Sequence, residues 1–190
     1  MAHLSVRSYY SLLSALMSPE EIAETARANG MKAVALTDRH RLHGAQSFER
    51  ACIRESIKPI YGLEITFAIG NQKSDSLVLA KNAHGYQALI DYSAQLLSGK
   101  ILSVDDLASH QKDLVIIFYS EKGPFEQALI HGDWEALRNT LQFLKSKIPD
   151  MVIGISHQES AFFKPKNKQL MNLAKENDIL CIALPKVYYR

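Results

Sequence analysis

In the stretch VALTDRHRLHGA, residues 34–45, an apolar run ends in Asp38, and His40 and His43 stand just beyond it. A carboxylate with two imidazoles at the end of a strand is donor chemistry for a divalent metal ion. Arg39 and Arg41, however, are interleaved with these groups. A guanidinium is permanently cationic and has no lone pair to give a metal. His40 and His43 carry the case for metal binding here, and the arginines carry the case against it.

In a parallel α/β fold, groups that do chemistry gather at the carboxyl ends of the strands. The chain puts Ser5, Arg7 and Ser8 after a first strand, Asp38, Arg39 and His40 after a second, and Glu64 within a third. Asp75 stands just ahead of a fourth, His157 follows a sixth, and Lys186 and Tyr188 follow the last. Other chemistries fit less well. Ser8, Ser11 and Ser14 have no His and carboxylate in a nucleophile motif. The glycine segments GYQ and KGPFE lack a phosphate-wrapping fingerprint. Tyr9 and Tyr10 suit packing better than base stacking. The lone His3, His84, His110, His131 and His157 read as surface or hydrogen-bonded residues.

The elements that must position these groups are legible as short apolar runs separated by helical patterns. Strands are expected near residue 4 and at 32–37, 58–68, 76–80, 113–119, 151–156 and 179–184. The first helix is signalled by Ser18 as N-cap, Pro19 at the first helical position, Glu21 closing a capping box and Gly30 as stop, with Ile22, Ala23 and Ala26 facing inward. Further helices fit 44–55, 84–97, 103–109, 124–130, 133–147 and 166–177. Trp134, Leu137, Leu141 and Leu144 form a core-facing stripe in the 133–147 helix. Strands alternating with helices predict an α/β fold on a parallel sheet, either open or closed into a barrel.

The 190 residues, 47% hydrophobic, suffice for one buried core and a single domain over 1–190. A net charge of +2, from 22 basic and 20 acidic residues, is far from that of a dedicated nucleic-acid binder. Cys52 and Cys181 read as small buried hydrophobes in a reducing compartment. No run nears the ~20 apolar residues that span a bilayer, and MAHLSVRS lacks the plan of a signal peptide, so a cytoplasmic location is expected. The chain stops at LPKVYYR directly after a strand, which suggests an N-terminal fragment of a longer protein.

The segments HLSVRSYYSLLSAL, MKAVALTDRHRLHGAQSFERAC, IKPIYGLEITFA, LVLAKNAHGYQALIDYSA and LAKENDILCIALPKVYYR resemble, in order and spacing, the PHP (polymerase and histidinol phosphatase) domain that opens the alpha subunit of bacterial DNA polymerase III, closest to the DnaE type. The resemblance covers essentially the whole chain. It implies a distorted seven-stranded (β/α)7 barrel whose active members cluster His, Asp and Glu around two or three metal ions. The family's ligand positions are degenerate in this chain. The first motif, His-x-His with a downstream Asp-Gly, reads Ser5, Arg7, Ser14 and Ala15; the second keeps Asp38 but has Arg39 for His. Glu64 survives, a His aligns with Asp75, and the closing Asp and His are Lys186 and Tyr188.

A fixed positive charge about 5 Å from a dication costs about 6 kcal/mol at an effective dielectric near 20. Arg7, Arg39 and Lys186 would each impose such a repulsion. No metal, cofactor or catalytic residue is therefore expected in this domain. Instead, Arg7, Arg39 and Lys186 are expected to enter the former metal volume and pair with Asp38 and Glu64. The expected function is a non-catalytic scaffold in a replicative DNA polymerase. Its partners would be the remaining domains of the alpha subunit, other replisome proteins and, through the parent chain, DNA. The nucleotidyltransferase activity and its magnesium would belong to the polymerizing domain. Two alternatives stand beside this: a metal-dependent phosphoesterase or 3′–5′ exonuclease of the same family, and a phosphate- or pyrophosphate-binding pocket built on the cations.

Overall fold

The computed structural model describes residues 2–11, 15–155 and 163–185. Its elements in chain order are β1 (Ala2–His3), α1 (Pro19–Ala28), β2 (Ala33–Leu36), α2 (Ala45–Arg54), β3 (Lys58–Ile69), β4 (Gln72–Ala80), α3 (Ala83–Leu97), β5 (Leu102–Ser103), α4 (Val104–Ser109), β6 (Leu114–Tyr119), α5 (Glu126–His131), α6 (Trp134–Lys147), β7 (Val152–Ile155), α7 (Phe163–Glu176) and β8 (Leu180–Ala183). The local signals act as expected at α1. The Ser18 side chain accepts from the Glu21 N–H, Glu21 returns a bond to the Ser18 N–H, and Ile22, Ala23 and Ala26 are buried. In α6, Leu137, Leu141 and Leu144 are buried, and Trp134 packs against the same core from a partly buried position.

The strands lie in the order β1-β2-β3-β4-β6-β7-β8, with β5 beside β3. The sheet curls into a half-barrel. It is mixed rather than parallel throughout, because β4 runs antiparallel to both β3 and β6. The cause is a tight hairpin. Gly70 takes φ +57°, and only Gly70 and Asn71 separate β3 from β4, so no crossover helix intervenes. Pairing therefore begins at Ile69↔Gln72, and Asp75 lies inside β4 rather than ahead of it.

Side-chain alternation divides the sheet into two faces. Leu63, Ile65, Phe67, Val78, Leu114, Ile116, Phe118 and Ile153 point outward into a core completed by α3 through α7. Val34 and Leu36 meet α1 and α2 in a second cluster that includes the fully buried Cys52; Cys181 is half-buried. Inside the curl, Ala35, Leu77, Leu79, Ile117, Tyr119, Val152 and Leu184 form a third cluster. The half-barrel is thus filled with side chains and does not form a pore. At the end where β3 and β6 begin, a cavity of about 960 Å³ opens among Leu4, Ile60, Leu79 and Val115. The polar cluster described next is at the other end. Among the described residues no helix is long and apolar enough to cross a membrane.

An arginine–carboxylate cluster at the carboxyl ends of the strands

Glu64 and Thr66 take the inward positions of β3, and register sets Thr66 opposite Asp75 of β4. Beyond β2 the chain continues as an isolated bridge between Arg39 and Glu64: the Glu64 N–H donates to the Asp38 carbonyl at 3.2 Å and the His40 N–H to the Glu64 carbonyl at 3.0 Å. Val6 accepts from the Thr37 N–H at 2.8 Å, which brings the segment after β1 alongside. Backbone pairing alone therefore collects Arg7, Asp38, Arg39, Glu64 and Asp75.

Glu64 is the centre of the cluster, with its side chain only 2% exposed. One carboxylate oxygen receives Arg7 Nη2 and, at 2.8 Å, Arg39 Nη1; the other receives the Tyr119 hydroxyl at 3.1 Å. Arg39 Nη1 also donates to Asp75 at 2.8 Å, and its Nη2 reaches Asp75 at 3.2 Å and the Thr66 hydroxyl at 3.1 Å. Burial works against the Arg39 charge, but Asp75 and Glu64 outweigh it and raise its pKa. Burial, followed by the Glu64 charge, lifts the Tyr119 phenol well above its ordinary value, so it remains a neutral donor.

Asp38 is held differently. One oxygen accepts the Ser8 N–H at 2.7 Å and the Ser11 hydroxyl at 2.6 Å, and the other accepts the Ser8 hydroxyl at 2.7 Å. Burial pushes its carboxyl above the ordinary 3.8, against the pull of the serine bonds and the nearby Arg7 charge. The two guanidiniums, Arg7 and Arg39, donate to Glu64 and not to Asp38. Serines supply the bonds to Asp38, and Arg7 acts on it as a neighbouring charge.

The remaining candidates separate. Ser5 is buried, and its side chain works against burial in setting the Tyr119 pKa. His40 adopts φ +59°, places Nε2 3.0 Å from the Thr66 hydroxyl, and receives the Ser93 hydroxyl of α3 on its carbonyl at 2.7 Å. Burial and then the Arg39 charge pull its imidazole below 6.5. His43 is exposed and stacks at 6.2 Å on Tyr10, away from the carboxylates. Ser14, His157, Lys186 and Tyr188 lie outside the described residues. Sequence reasoning missed Ser8 and Ser11 as partners of Asp38, and Thr66 and Tyr119 altogether. Inward alternation along β3 and β6 is the signal that could have found the last two.

A metal cluster of the kind implied by the family resemblance does not fit these residues. Both guanidiniums converge on the same Glu64 oxygen, the Asp38 oxygens are taken by three donors, and His40 Nε2 is turned to Thr66. Among the described residues no group of three or more His, Cys, Asp and Glu side chains is arranged to hold a metal ion.

A family model described as PHP domain matches residues 3–160. The chain is 31% identical over 181 residues to the DNA polymerase III subunit alpha of Halalkalibacterium halodurans, covering 90% of this chain and 16% of that protein. The subunit of Bacillus subtilis is 32% identical over 193 residues, covering 98% of this chain. This chain spans only 17% of the Bacillus protein's length, and the similarity falls in the N-terminal region of such subunits. Among solved structures, a proposed metal-dependent phosphoesterase from Bifidobacterium adolescentis superposes with TM-score 0.67 at 12% identity, covering 96% of this chain and 86% of that one. An amidohydrolase from Chromobacterium violaceum does so with TM-score 0.68 at 11% identity, covering 99% and 87%. At such identities the likeness is one of fold.

Proposed function

Because this chain belongs to the PHP domain family, we propose that it serves as the N-terminal PHP domain of a replicative DNA polymerase III alpha subunit, and within it as a non-catalytic scaffold. The observation that carries this is the pair of guanidiniums, Arg7 and Arg39, on the buried Glu64 carboxylate. They are fixed cross-links between strand ends, which is the mechanical role a metal cluster would otherwise play there. The long relatives, of which the chain spans 16% and 17%, support polymerizing domains as its docking partners. Nucleotidyl transfer to a primer 3′ end, with its magnesium, would belong to those domains, as would contact with DNA. Other replisome proteins are further candidate partners.

The test is metal content and hydrolysis measured together. The purified chain should retain only trace zinc, manganese or iron after desalting. It should hydrolyse p-nitrophenyl phosphate no faster with added manganese than without, and Asp38→Ala or Glu64→Ala should change nothing in that assay. Retention of two or three ions per chain, the number a phosphoesterase centre uses, or a metal-stimulated rate lost in either variant, would make the domain an enzyme and end the scaffold reading.

A further inference from the structure

The sequence contains a single Asn-Gly pair, Asn29–Gly30; every other asparagine is followed by a residue that carries a side chain. The difference is chemical. Glycine has no Cβ, so its amide nitrogen can approach the side-chain carbonyl carbon of the preceding asparagine without hindrance. Both residues are exposed at the end of α1, where water reaches them.

Asn29 is the C-cap of α1, and Gly30 follows at φ +67° with open space where a Cβ would stand. The Gly30 N–H donates to the Arg27 carbonyl at 2.9 Å and the Met31 N–H to the Ala26 carbonyl at 2.9 Å, the paired bonds of a Schellman turn. The Asn29 side-chain amide donates to the Thr25 carbonyl at 2.8 Å. Both groups that could react with each other are therefore held, the nitrogen in a backbone bond and the side chain folded back along the helix. Bringing them together requires these bonds to break, which is fraying of the last turn and not unfolding of the domain.

We infer that Asn29 is a site of spontaneous covalent modification, gated by the last turn of α1. When the turn frays, the Gly30 nitrogen gives up its proton to solvent base and attacks Asn29 Cγ. The new N–Cγ bond closes a succinimide, and the Cγ–Nδ2 bond breaks; the nitrogen leaves as ammonia after taking up a proton in place of the one lost. Water then opens the ring at either carbonyl, giving aspartate or isoaspartate, and no oxidant, metal or enzyme takes part. Isoaspartate places an extra carbon in the main chain, and only Gly30, Met31 and Lys32 lie between it and β2. Either product replaces the donor to Thr25 with a carboxylate, at the helix end where negative charge is unfavourable. Ile22, Ala23 and Ala26 of α1 belong to the same cluster as Cys52, so a loosened α1 uncovers that thiol.

Ageing the chain in mildly alkaline buffer with reductant, folded or in guanidinium chloride, tests this and does not depend on the scaffold reading. Trypsin cuts after Arg27 and Lys32 and releases residues 28–32, in which asparagine, aspartate and isoaspartate separate by chromatography and mass. Isoaspartate should accumulate there ahead of every other asparagine-containing peptide, about tenfold more slowly in the folded chain than in denaturant. Asn29→Gln, whose longer side chain closes a ring less readily, should abolish it. In the aged folded chain, alkylation of Cys52, read on residues 51–54, should be faster than in fresh chain. Asn29→Asp carries the charge without the extra carbon and should quicken alkylation less. A folded chain modified as fast as the denatured one, another asparagine modified first in the folded chain, or a Cys52 protection that isoaspartate leaves unchanged would each overturn the proposal.

Discussion

Arg39 stands between two carboxylates, its Nη1 donating at 2.8 Å to Glu64 and at 2.8 Å to Asp75, and so ties the end of β2 to both strands of the β3–β4 hairpin. Arg7 reaches the same Glu64 oxygen from the segment after β1. The two guanidiniums share a partner but differ in exposure. The Arg7 side chain is 10% exposed and that of Arg39 is 38%.

That difference predicts an order of effects. Arg7→Met should destabilise the fold by about 3–5 kcal/mol, because it strips a buried carboxylate of its least solvated partner. Arg39→Met should cost about 1–2 kcal/mol, since water can replace part of what is lost. In the Arg7→Met background, Glu64→Gln should recover part of the loss. Urea unfolding with an unchanged slope measures all three, and an Arg39 effect as large as that of Arg7 would show that exposure does not govern this cluster.

The pH dependence follows from two groups of opposite sign. His40 has its pKa lowered from 6.5 by burial and by Arg39, so the unfolded chain takes up its proton first as pH falls. Its stabilising contribution is complete above pH 6.5 and is lost as pH falls through the folded value. Asp38 has its pKa raised from 3.8 by burial. Its contribution is complete below pH 3.8 and is lost as pH rises through the folded value. His40→Asn, which tolerates the left-handed backbone at φ +59°, should flatten the decline in urea midpoint as pH is lowered from about 6.5. An undiminished slope in that variant would assign the decline to other groups.

How much of this was legible beforehand depends on whether a feature is local or set by register. The capping box at Ser18, the stripe through Leu137, Leu141 and Leu144, and the strand runs are written in adjacent residues, and the elements appear close to where their patterns lie. The direction of β4 was readable in principle, since Gly70-Asn71 between two strands is a hairpin signal, but strand–helix alternation elsewhere argued for parallel pairing. The link from Arg39 to Asp75 needs the Thr66↔Asp75 register, which no single stretch contains. The serines on Asp38 depend on how the segment after β1 curls, for which the chain carries no periodic signal.

Ser11 joins the two halves of the cluster, donating to Asp38 at 2.6 Å while accepting the Arg39 N–H at 3.0 Å. Ser11→Ala removes a donor from a buried carboxylate and leaves a backbone N–H unpaired. It should cost about 1–3 kcal/mol and lift the Asp38 carboxyl further. Ser11→Thr, which keeps the hydroxyl, should lose less. Carbon-detected titration of the Asp38 carboxyl, alongside the unfolding midpoint, checks both; a pKa unmoved by Ser11→Ala would mean that serine does not hold the carboxylate.

Thr66 allows the sharpest test of the network, because its one hydroxyl serves three neighbours. It donates to Asp75 at 2.9 Å, so toward Arg39 Nη2 at 3.1 Å and His40 Nε2 at 3.0 Å it can only accept. His40 must then carry its proton on Nε2, leaving Nδ1 as the bare nitrogen of the neutral ring. Thr66→Val keeps the shape of the side chain and removes the hydroxyl, so its cost measures the network and not the packing: about 1–3 kcal/mol, where a solvated threonine would lose almost nothing. Nitrogen chemical shifts of the His40 ring should report the Nε2–H tautomer in the wild type and a mixture of tautomers in Thr66→Val. A wild-type ring protonated on Nδ1 alone would mean that Thr66 gives its proton to His40 and that Asp75 is held by Arg39 without it.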